Sequence, residues 1–347
     1  MKFANFYPGP SRVYANITEY MYEAYMEGIL SINHRSEEFM SLLSTTKQVL
    51  RQKLQIPGDY EIIFTSSATE CWEIIAQSLI QKKSQHFFNG AFGEKWAAYT
   101  GKIRSTIKTH FGINDVLPTG EVKKADLYAV TQNETSNGTQ VSMETLGLLK
   151  SEVDGLIAVD ATSSLGGVCL DYTLADVWYG SVQKCLGLPA GMGIMVLSPM
   201  AINVAGMIGE NDHYNSLLRL LENASKDQTS YTPNVLGIYL LKRTQETSKG
   251  IVATQQKLAE RYSLYEEWLG GVDQVSFLVD NESVRSLTVL TLKTSDPVSI
   301  KQLAYDRGII LGNGYGPWKS STFRVANFPA IKTKEIEKLG EFLTRQF

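Results

Sequence analysis

The chain has 347 residues, of which 43% are hydrophobic, and 33 basic against 36 acidic residues give it a net charge of −3 at pH 7. This length predicts two domains with a sizeable buried core. The basic residues form no long run, so the composition excludes a nucleic-acid-binding surface. The apolar stretches are shorter than the ~20 residues of a membrane span, which excludes an integral membrane protein.

The order of predicted elements indicates an α/β fold with a second, smaller α+β domain. Residues 1–15 lack a continuous apolar signal core, which predicts a cytoplasmic protein. Residues 16–240 alternate strands and helices, a pattern that predicts a mostly parallel sheet sandwiched by helices. Residues 241–347 are predicted to form the smaller domain, with a helix over 251–268, strands near 275–279, 286–292, 309–311 and 322–326, and helices over 299–306 and 334–345.

The first chemical signal is the segment 61–70, which reads as a strand, a turn of small residues and the start of a helix. Backbone N–H groups at a helix start bind phosphate, so Ser67, Ala68 and Thr69 are candidates for a phosphate cradle. Many α/β proteins begin a helix in this way, and the segment alone is weakly specific. Cys71 belongs to an apolar stripe at helical spacing and is predicted to lie in the core.

Two further predicted strands end in polar residues. The strand over 126–131 leads to Thr135, and the buried strand over 155–160 ends at Asp160. Ligands of open α/β sheets bind at the carboxyl edge of the strands. The Asp160 carboxylate is therefore a candidate partner for a protonated pyridine nitrogen, which lets a cofactor ring accept electrons. A helix or turn cap is the alternative interpretation of Asp160.

Lys184 closes the apolar run 175–184 and is followed directly by small residues. Burial disfavours an ammonium and lowers its pKa from about 10.4, which leaves the free amine that a Schiff base needs. Together with Asp160, this lysine predicts pyridoxal phosphate chemistry. Taken alone, Lys184 also fits a solvent-exposed residue at a strand end.

The cysteines and histidines point to no metal or redox site. Cys71, Cys169 and Cys185 form no CxxC pair and are predicted to be reduced thiols. Cys185 is interpreted as a packed neighbour of Lys184, because adjacent strand residues face opposite sides. No metal is expected, since metal-ligand spacing is absent among the four histidines, His34, His86, His110 and His213. The segment Gly312-x-Gly-x-Gly is close to a dinucleotide-binding motif, but a proline stands where the last glycine of that motif belongs. An NAD-dependent enzyme is therefore disfavoured.

Several segments in this order resemble the class V branch of fold-type I pyridoxal-phosphate aminotransferases, and within it the phosphoserine aminotransferase group. The resemblance covers nearly the whole chain. It rests on Phe6-Tyr-Pro-Gly-Pro-Ser, Asn33-His-Arg-Ser-Glu-Glu-Phe, Thr65-Ser-Ser-Ala-Thr-Glu, Asn89-Gly-Ala-Phe-Gly, Asn133-Glu-Thr, Val159-Asp, Ser181-Val-Gln-Lys, Tyr231-Thr-Pro and Thr322-Phe-Arg.

The resemblance implies a role for each matching residue. Lys184 would carry the covalent link to the cofactor, Asp160 would meet the pyridinium nitrogen, and Thr135 would contact the phenolate oxygen. Phe92 would stack on the ring, where the family often has tryptophan, with less overlap area. The phosphate would be held by Ser67, Ala68, Thr69, Gln183, Tyr231 and Thr232. The last two reach a neighbouring active site in this family, which implies a homodimer.

Substrate contacts also follow from the resemblance. The Pro-Gly-Pro turn in the N-terminal segment 1–15 would pack near the substrate site. Arg324, on the strand near 322–326, would bind the α-carboxylate, since a planar guanidinium suits a two-point contact; a solvated strand-edge charge is the alternative. His34 and Arg35 would contact a second anion, although this pair also occurs in class V enzymes with other substrates. Many phosphoserine enzymes carry a second His-Arg pair before the position of Arg324, and this chain has none. Lys319 is the candidate replacement.

The expected activity is ping-pong transamination between glutamate and 3-phosphohydroxypyruvate, in which Lys184 moves the proton. The expected partners are small molecules, namely amino acids and 2-oxo acids. The rival within the fold is an alanine- or serine-type aminotransferase acting with glyoxylate or pyruvate. A non-catalytic aminotransferase-like module that only binds the cofactor is the remaining alternative. Cysteine desulfuration is disfavoured because no cysteine follows Cys185.

Overall fold

A computed structural model describes residues 3–346, without the side chain of Gln346. Its helices are α1 Ile17–Met26, α2 Glu37–Leu54, α3 Ala68–Ser78, α4 Ala91–Thr100, α5 Met143–Glu152, α6 Pro199–Ile208, α7 Leu217–Ala224, α8 Val235–Glu246, α9 Ile251–Gly270, α10 Pro297–Asp306 and α11 Thr333–Gln346. Its strands are β1 Ala4–Asn5, β2 Glu61–Thr65, β3 Lys83–Phe88, β4 Ser105–His110, β5 Leu127–Thr131, β6 Asn133–Glu134, β7 Thr139–Gln140, β8 Leu156–Asp160, β9 Val177–Ser181, β10 Gly193–Leu197, β11 Ser276–Phe277, β12 Val289–Lys293, β13 Ile309–Ile310, β14 Gly312–Asn313 and β15 Thr322–Ala326.

The main sheet of the described chain has seven strands in the order β2-β10-β9-β8-β5-β3-β4. Five of them, from β9 to β4, pair in parallel, whereas β10 is antiparallel to both β9 and β2. Strand β2 therefore runs in the same direction as the parallel strands. The carboxyl ends of β2, β5, β8 and β9 consequently meet at one edge of the sheet, which confirms the predicted mostly parallel α/β architecture.

Both faces of the sheet are covered. Along β8, Ile157 and Val159 pack into one apolar cluster with residues of α2 and α8, whereas Leu156 and Ala158 pack into another with residues of α3, α6 and α7. Successive strand residues face opposite sides, so this split is the period-2 pattern of a sheet buried on both faces. The near-continuous apolar runs of the central strands follow from this burial.

The C-terminal part has its own four-stranded antiparallel sheet, in the order β11-β12-β15-β14, and its own apolar cluster. The predicted strand at 322–326 has the predicted bounds, and α9 extends two residues beyond the predicted helix. The strand predicted at 286–292 begins at Val289, because the Ser286 side chain bonds Asn133 and accepts the Val289 N–H. Strand β13 pairs with β1 rather than with this sheet. The domain boundary at residue 240 stays a prediction.

Within residues 3–346, no helix combines the length and the apolar character that crossing a bilayer requires. The same residues contain no group of three or more histidine, cysteine, aspartate or glutamate side chains arranged to hold a metal ion.

Candidate active site

A cavity of about 250 Å³ opens at the carboxyl edge of the main sheet, between the ends of β5, β8 and β9. Eight of the predicted site residues line it: Ser67, Ala68, Thr69, Phe92, Thr135, Asp160, Gln183 and Lys184. Its wall also contains Gly9 and Pro10 of the N-terminal segment. A larger cavity of about 770 Å³ lies at the opposite edge, beside Leu156 and Asp176, and contains neither Lys184 nor Asp160. The smaller cavity is therefore the candidate active site.

Lys184 lies in the turn between the antiparallel strands β9 and β10, three residues beyond the end of β9, and is 8% exposed. Gly9 covers its side chain so closely that a Cβ at Gly9 would lie 2.6 Å from Lys184 Cε and 2.8 Å from Nζ. Burial and the charge of Arg324 lower the pKa of Lys184 from 10.5 to about 8, although Asp160, Cys185 and Glu134 act in the opposite direction. The amine is thus partly free near neutral pH.

This lowered pKa makes the stability of the cofactor-free protein depend on pH. The unfolded chain binds a proton at Lys184 up to about pH 10.5, and the folded chain releases it near pH 8. The free energy of unfolding should therefore rise as the pH increases between these values, by on the order of 3 kcal/mol from this residue. Urea unfolding of the wild type and of Lys184→Met across this range measures the difference.

The Lys184→Met protein is the reference because it removes the titrating amine and keeps an apolar chain of similar length. From pH 8 upward, the free energy of unfolding of the wild type should increase relative to that of the Lys184→Met variant. A difference in the free energy of unfolding that stays constant across this pH range would mean that Lys184 has its ordinary pKa in the folded chain.

Asp160 is the last residue of β8 and is 4% exposed. Burial raises the pKa of this carboxyl, while hydrogen bonds from Thr162 and Tyr179 and the nearby Lys184 charge lower it. The Thr162 N–H donates to Oδ1 at 2.8 Å, and the Tyr179 hydroxyl accepts a 2.9 Å bond from the Trp72 indole. These contacts fix the carboxylate orientation toward the cavity. A cation opposite Asp160 would restore its ionised form.

The residues predicted to cradle a phosphate lie at the start of α3. Ser67 is the N-cap of this helix, and its hydroxyl accepts the Glu70 N–H at 3.1 Å. The first backbone N–H groups of a helix have no intrahelical acceptor, so those of Ala68 and Thr69 are available for an anion at the cavity. The helix macrodipole adds partial positive charge at the same place.

Phe92 is held by a helix cap that sequence reasoning missed. The buried Glu134 carboxylate accepts the N–H groups of Phe92 and Gly93, each at 3.1 Å, in the first turn of α4. Gly90 is necessary beside it, since a Cβ there would lie 2.3 Å from Glu134 Cγ. An acidic residue between Asn133 and Thr135 was the available signal, but the helix that it caps is more than 40 residues away in sequence.

Arg324 lies on β15 and is 5% exposed. Its Nε donates to the Asn313 carbonyl and its Nη1 to the Thr135 carbonyl, both at 2.7 Å. Nη2 donates to no group in the described part of the chain, so the fixed guanidinium keeps one edge for a ligand. The Arg324 Cζ atom lies 5.3 Å from the centre of the Tyr315 ring. Tyr315 was not among the sequence-predicted residues.

Arg324 adjoins this cavity through Thr135 but is not among its lining residues, and the other predicted site residues do not line it either. Tyr231 is half-buried, with its hydroxyl 3.5 Å from the Phe64 carbonyl, and Thr232 is exposed. Arg35 is exposed and donates to the Asn223 and Gln228 side chains, with His34 beside it. Lys319 is exposed at the end of a short 3-10 helix.

Cys185 is buried, and its thiol donates to the Ser163 carbonyl at 3.2 Å. Burial raises the pKa of this thiol, which disfavours a nucleophilic role. The reason given from the sequence was wrong, because Lys184 and Cys185 lie in a turn and not in a strand.

The cavity carries polar atoms that suit pyridoxal phosphate. Thr131 Oγ1, Asn133 Nδ2 and Ser181 Oγ are buried in its wall and have no hydrogen-bond partner among the described residues. Buried polar groups normally have partners, so this wall fits a polar ligand. A carboxylate, a free amine, an aromatic face and a helix N-terminus surround the same space, and they match the ring nitrogen, aldehyde, ring and phosphate of that cofactor.

The comparisons with known proteins agree with this chemistry. The family model for class-V aminotransferases matches residues 8–318, and the chain belongs to this family. It is a pyridoxal-phosphate-dependent transaminase with the fold of the fold-type I enzymes, as predicted.

The names of individual relatives specify a substrate, which the family description does not. A phosphoserine aminotransferase of Corynebacterium glutamicum (strain R) is 28% identical over 95% of this chain and 91% of its own length. The crystal structure of a phosphoserine aminotransferase from Cytophaga hutchinsonii superposes with a TM-score of 0.96, at 31% identity, over 100% of this chain and 99% of that one. An alanine–glyoxylate aminotransferase from Nostoc sp. has a TM-score of 0.85 at 21% identity, covering 99% of this chain and 94% of its own, a likeness of fold alone.

Proposed function

We propose that this enzyme is a phosphoserine aminotransferase, which exchanges an amino group between glutamate and 3-phosphohydroxypyruvate to give phosphoserine and 2-oxoglutarate. The observation that supports the chemistry most directly is the presence of Lys184 and Asp160 in the wall of one cavity, beside Arg324, which bonds the carbonyl of the cavity-lining Thr135 and lowers the pKa of Lys184. The substrate assignment is supported by relatives named phosphoserine aminotransferase, three of which align over 95% of the chain. On this proposal the enzyme serves serine biosynthesis in the cytoplasm.

Pyridoxal phosphate, when bound, supplies a carbonyl that condenses with amines and a ring that withdraws electrons from the substrate Cα. Ser67, Ala68, Thr69 and Gln183 would hold its phosphate, Phe92 its ring face and Thr135 its phenolate oxygen. Thr135 Oγ1 contacts the Ser163 hydroxyl, which fixes its position. Asp160 would keep the ring nitrogen protonated, because an ionised carboxylate beside it stabilises the added positive charge.

Lys184 is the proton carrier of this mechanism. Its pKa of about 8 lets Nζ accept a proton from the substrate Cα near neutral pH and hold it as an ammonium. In the reverse direction the same ammonium returns a proton to Cα. Arg324 orients the substrate by binding its α-carboxylate, so that Cα faces Lys184. Gly9 and Pro10 limit the access of water to the amine.

We further propose that the enzyme is a homodimer in which Tyr231 and Thr232 reach the partner subunit's cavity. Both residues lie outside the cavity of their own chain. Arg35 bonds Asn223 and Gln228 on the same surface, and Asn223 bonds Ser230, so Arg35 would be presented together with this segment. Exposed apolar side chains on α1, among them Tyr22 and Tyr25, support an interface.

Subunit complementation tests this arrangement. Lys184→Ala and Tyr231→Ala should each have low activity, whereas refolding the two together should restore about a quarter of wild-type activity, because half of the dimers would then contain one intact site. Lys184→Ala refolded with Lys184→Ser is the control and should gain nothing. Mixed samples as inactive as their parents would contradict shared sites.

The substrate is tested by half-reactions of the cofactor-loaded enzyme. Phosphoserine, glutamate, serine and alanine are added separately, and the absorbance of the bound cofactor is followed. Fast conversion by phosphoserine and glutamate is the expected result. Conversion by alanine or serine with phosphoserine inert would assign the enzyme instead to the alanine- or serine-glyoxylate (or pyruvate) type, for which Arg324 suffices.

A further inference from the structure

We propose that Lys95 binds the second anionic group of the substrate, the phosphate of phosphoserine or the γ-carboxylate of glutamate, at the mouth of the cavity. The inference deepens the proposed function and rests on it. Lys95 was absent from the sequence-predicted site, in which Lys319 and the pair His34-Arg35 held this role.

The position of Lys95 follows from α4. Phe92 in the first turn of this helix lines the cavity, and Lys95 lies three residues later, on the same side of the helix. The Lys95 Nζ donates to the Tyr315 hydroxyl at 2.7 Å and lies 5.1 Å from the centre of the Tyr315 ring. That ring in turn stacks on Phe92, with centroids 5.3 Å apart and planes 29° apart.

Tyr315 also connects Lys95 to the carboxylate site. Arg324 Cζ lies 5.3 Å from the centre of the same ring. Two cations therefore contact one aromatic ring, the Lys95 ammonium and the Arg324 guanidinium, and the guanidinium bonds the carbonyl of the cavity-lining Thr135. A substrate with its α-carboxylate on Arg324 and an anionic side chain that extends past Tyr315 would meet Lys95.

The charge on Lys95 is available for a ligand. The side chain is exposed, and within the described residues no carboxylate lies within 4 Å of its amine. An ammonium has three N–H donors, of which the Tyr315 hydroxyl takes one, so two remain for an anion. Lysine binds phosphate as a point charge, and a charge-assisted hydrogen bond is about twice as strong as a neutral one.

The other candidate cations are less well placed within the chain. Lys319 comes four residues after Tyr315, is exposed, and, in the portion of the chain that the structure describes, forms no hydrogen bond or aromatic contact with Phe92 or Tyr315 of the kind that Lys95 forms. Arg35 is bonded to Asn223 and Gln228, outside the cavity of its own chain. Lys95 is thus an exposed cation that contacts Tyr315, which in turn stacks on Phe92 in the wall of the Lys184 cavity.

The experiment compares Lys95→Gln, Lys95→Arg and the matched surface control Lys319→Gln as cofactor-loaded enzymes. Single-turnover rates are measured against the concentration of phosphoserine, glutamate and alanine. Lys95→Gln should raise the half-saturating concentration for phosphoserine and glutamate by about 10- to 100-fold, the loss of one hydrogen bond to a charged group. The maximal rate constants, the response to alanine and the Lys319→Gln enzyme should stay close to wild type, and Lys95→Arg should recover most of the affinity.

Inhibition by inorganic phosphate gives a second readout, which should weaken in Lys95→Gln and persist in Lys319→Gln. Equal losses for all three amino acids would show that Lys95 only supports Tyr315, and would overturn the inference. A Lys95→Gln enzyme identical to wild type, or a loss that appears in Lys319→Gln instead, would also overturn it. A wild type that reacts with alanine alone would overturn the proposed function, and the second-anion role with it.

Discussion

Replacement of Lys184 by alanine is expected to reduce kcat by on the order of 10⁴-fold or more, the loss of a positioned general acid-base group together with the covalent link. The cofactor should still bind, because the N-terminus of α3, Phe92 and Asp160 remain in place. Dialysis of the variant with pyridoxal phosphate and single-turnover assays with glutamate separate binding from turnover. The absorbance of the retained cofactor should shift, since the amine that reacts with its aldehyde is gone.

The adjacent Cys185→Ala variant is the matched control. Its side chain is buried in the same turn and donates only to the Ser163 carbonyl, so the variant should keep kcat close to wild type. A fully active Lys184→Ala enzyme would end the proposed mechanism. Strong loss in Cys185→Ala together with wild-type stability would instead give the thiol a role in chemistry.

The change Asp160→Asn is expected to lower kcat by about 10²- to 10³-fold, which corresponds to about 3–4 kcal/mol of transition-state stabilisation. The amide keeps the shape of the side chain and the bond from the Thr162 N–H. It carries no negative charge, so the ring nitrogen would lose its proton and the substrate Cα–H would become less acidic. Rate measurements with Cα-deuterated glutamate should show a larger isotope effect in the variant, because proton removal becomes slower.

A surface carboxylate provides the comparison. Asp171 is exposed and caps a short 3-10 helix, with the Thr173 N–H donating to it. Asp171→Asn should leave kcat and the isotope effect unchanged. An Asp160→Asn enzyme with wild-type kcat would show that the carboxylate is a turn cap, the alternative interpretation of its position at the end of β8.

The residues that sequence reasoning brought to the cavity share a local signal. Asp160 and Lys184 follow buried strands, and Ser67 to Thr69 follow a strand and open a helix, so each can be placed from the order of elements alone. The carboxyl ends of strands with one direction must meet at one edge of a sheet. The fold class was predictable for the same reason.

The residues that were missed depend on contacts between distant parts of the chain. Lys95 and Tyr315 are 220 positions apart, and neither lies at a strand end of the main sheet. The antiparallel direction of β10 was also not predictable, since its apolar run fits either direction. Tyr231, Thr232, His34 and Arg35 were named by resemblance, and the roles proposed for Tyr231, Thr232 and Arg35 require a partner chain.

The pairing of β1 with β13 has a consequence for biosynthesis of the protein. Ala4 pairs with Ile309, and the same N-terminal segment then runs to Gly9 and Pro10 against Lys184. During translation, this segment therefore waits for Ile309 and Ile310 before it can form this pairing. A ribosome-bound chain that stops short of residue 310 can pair the strands of the main sheet but leaves the amine uncovered. Assembly of the catalytic pocket is thus a late, long-range step, of the kind that slows folding.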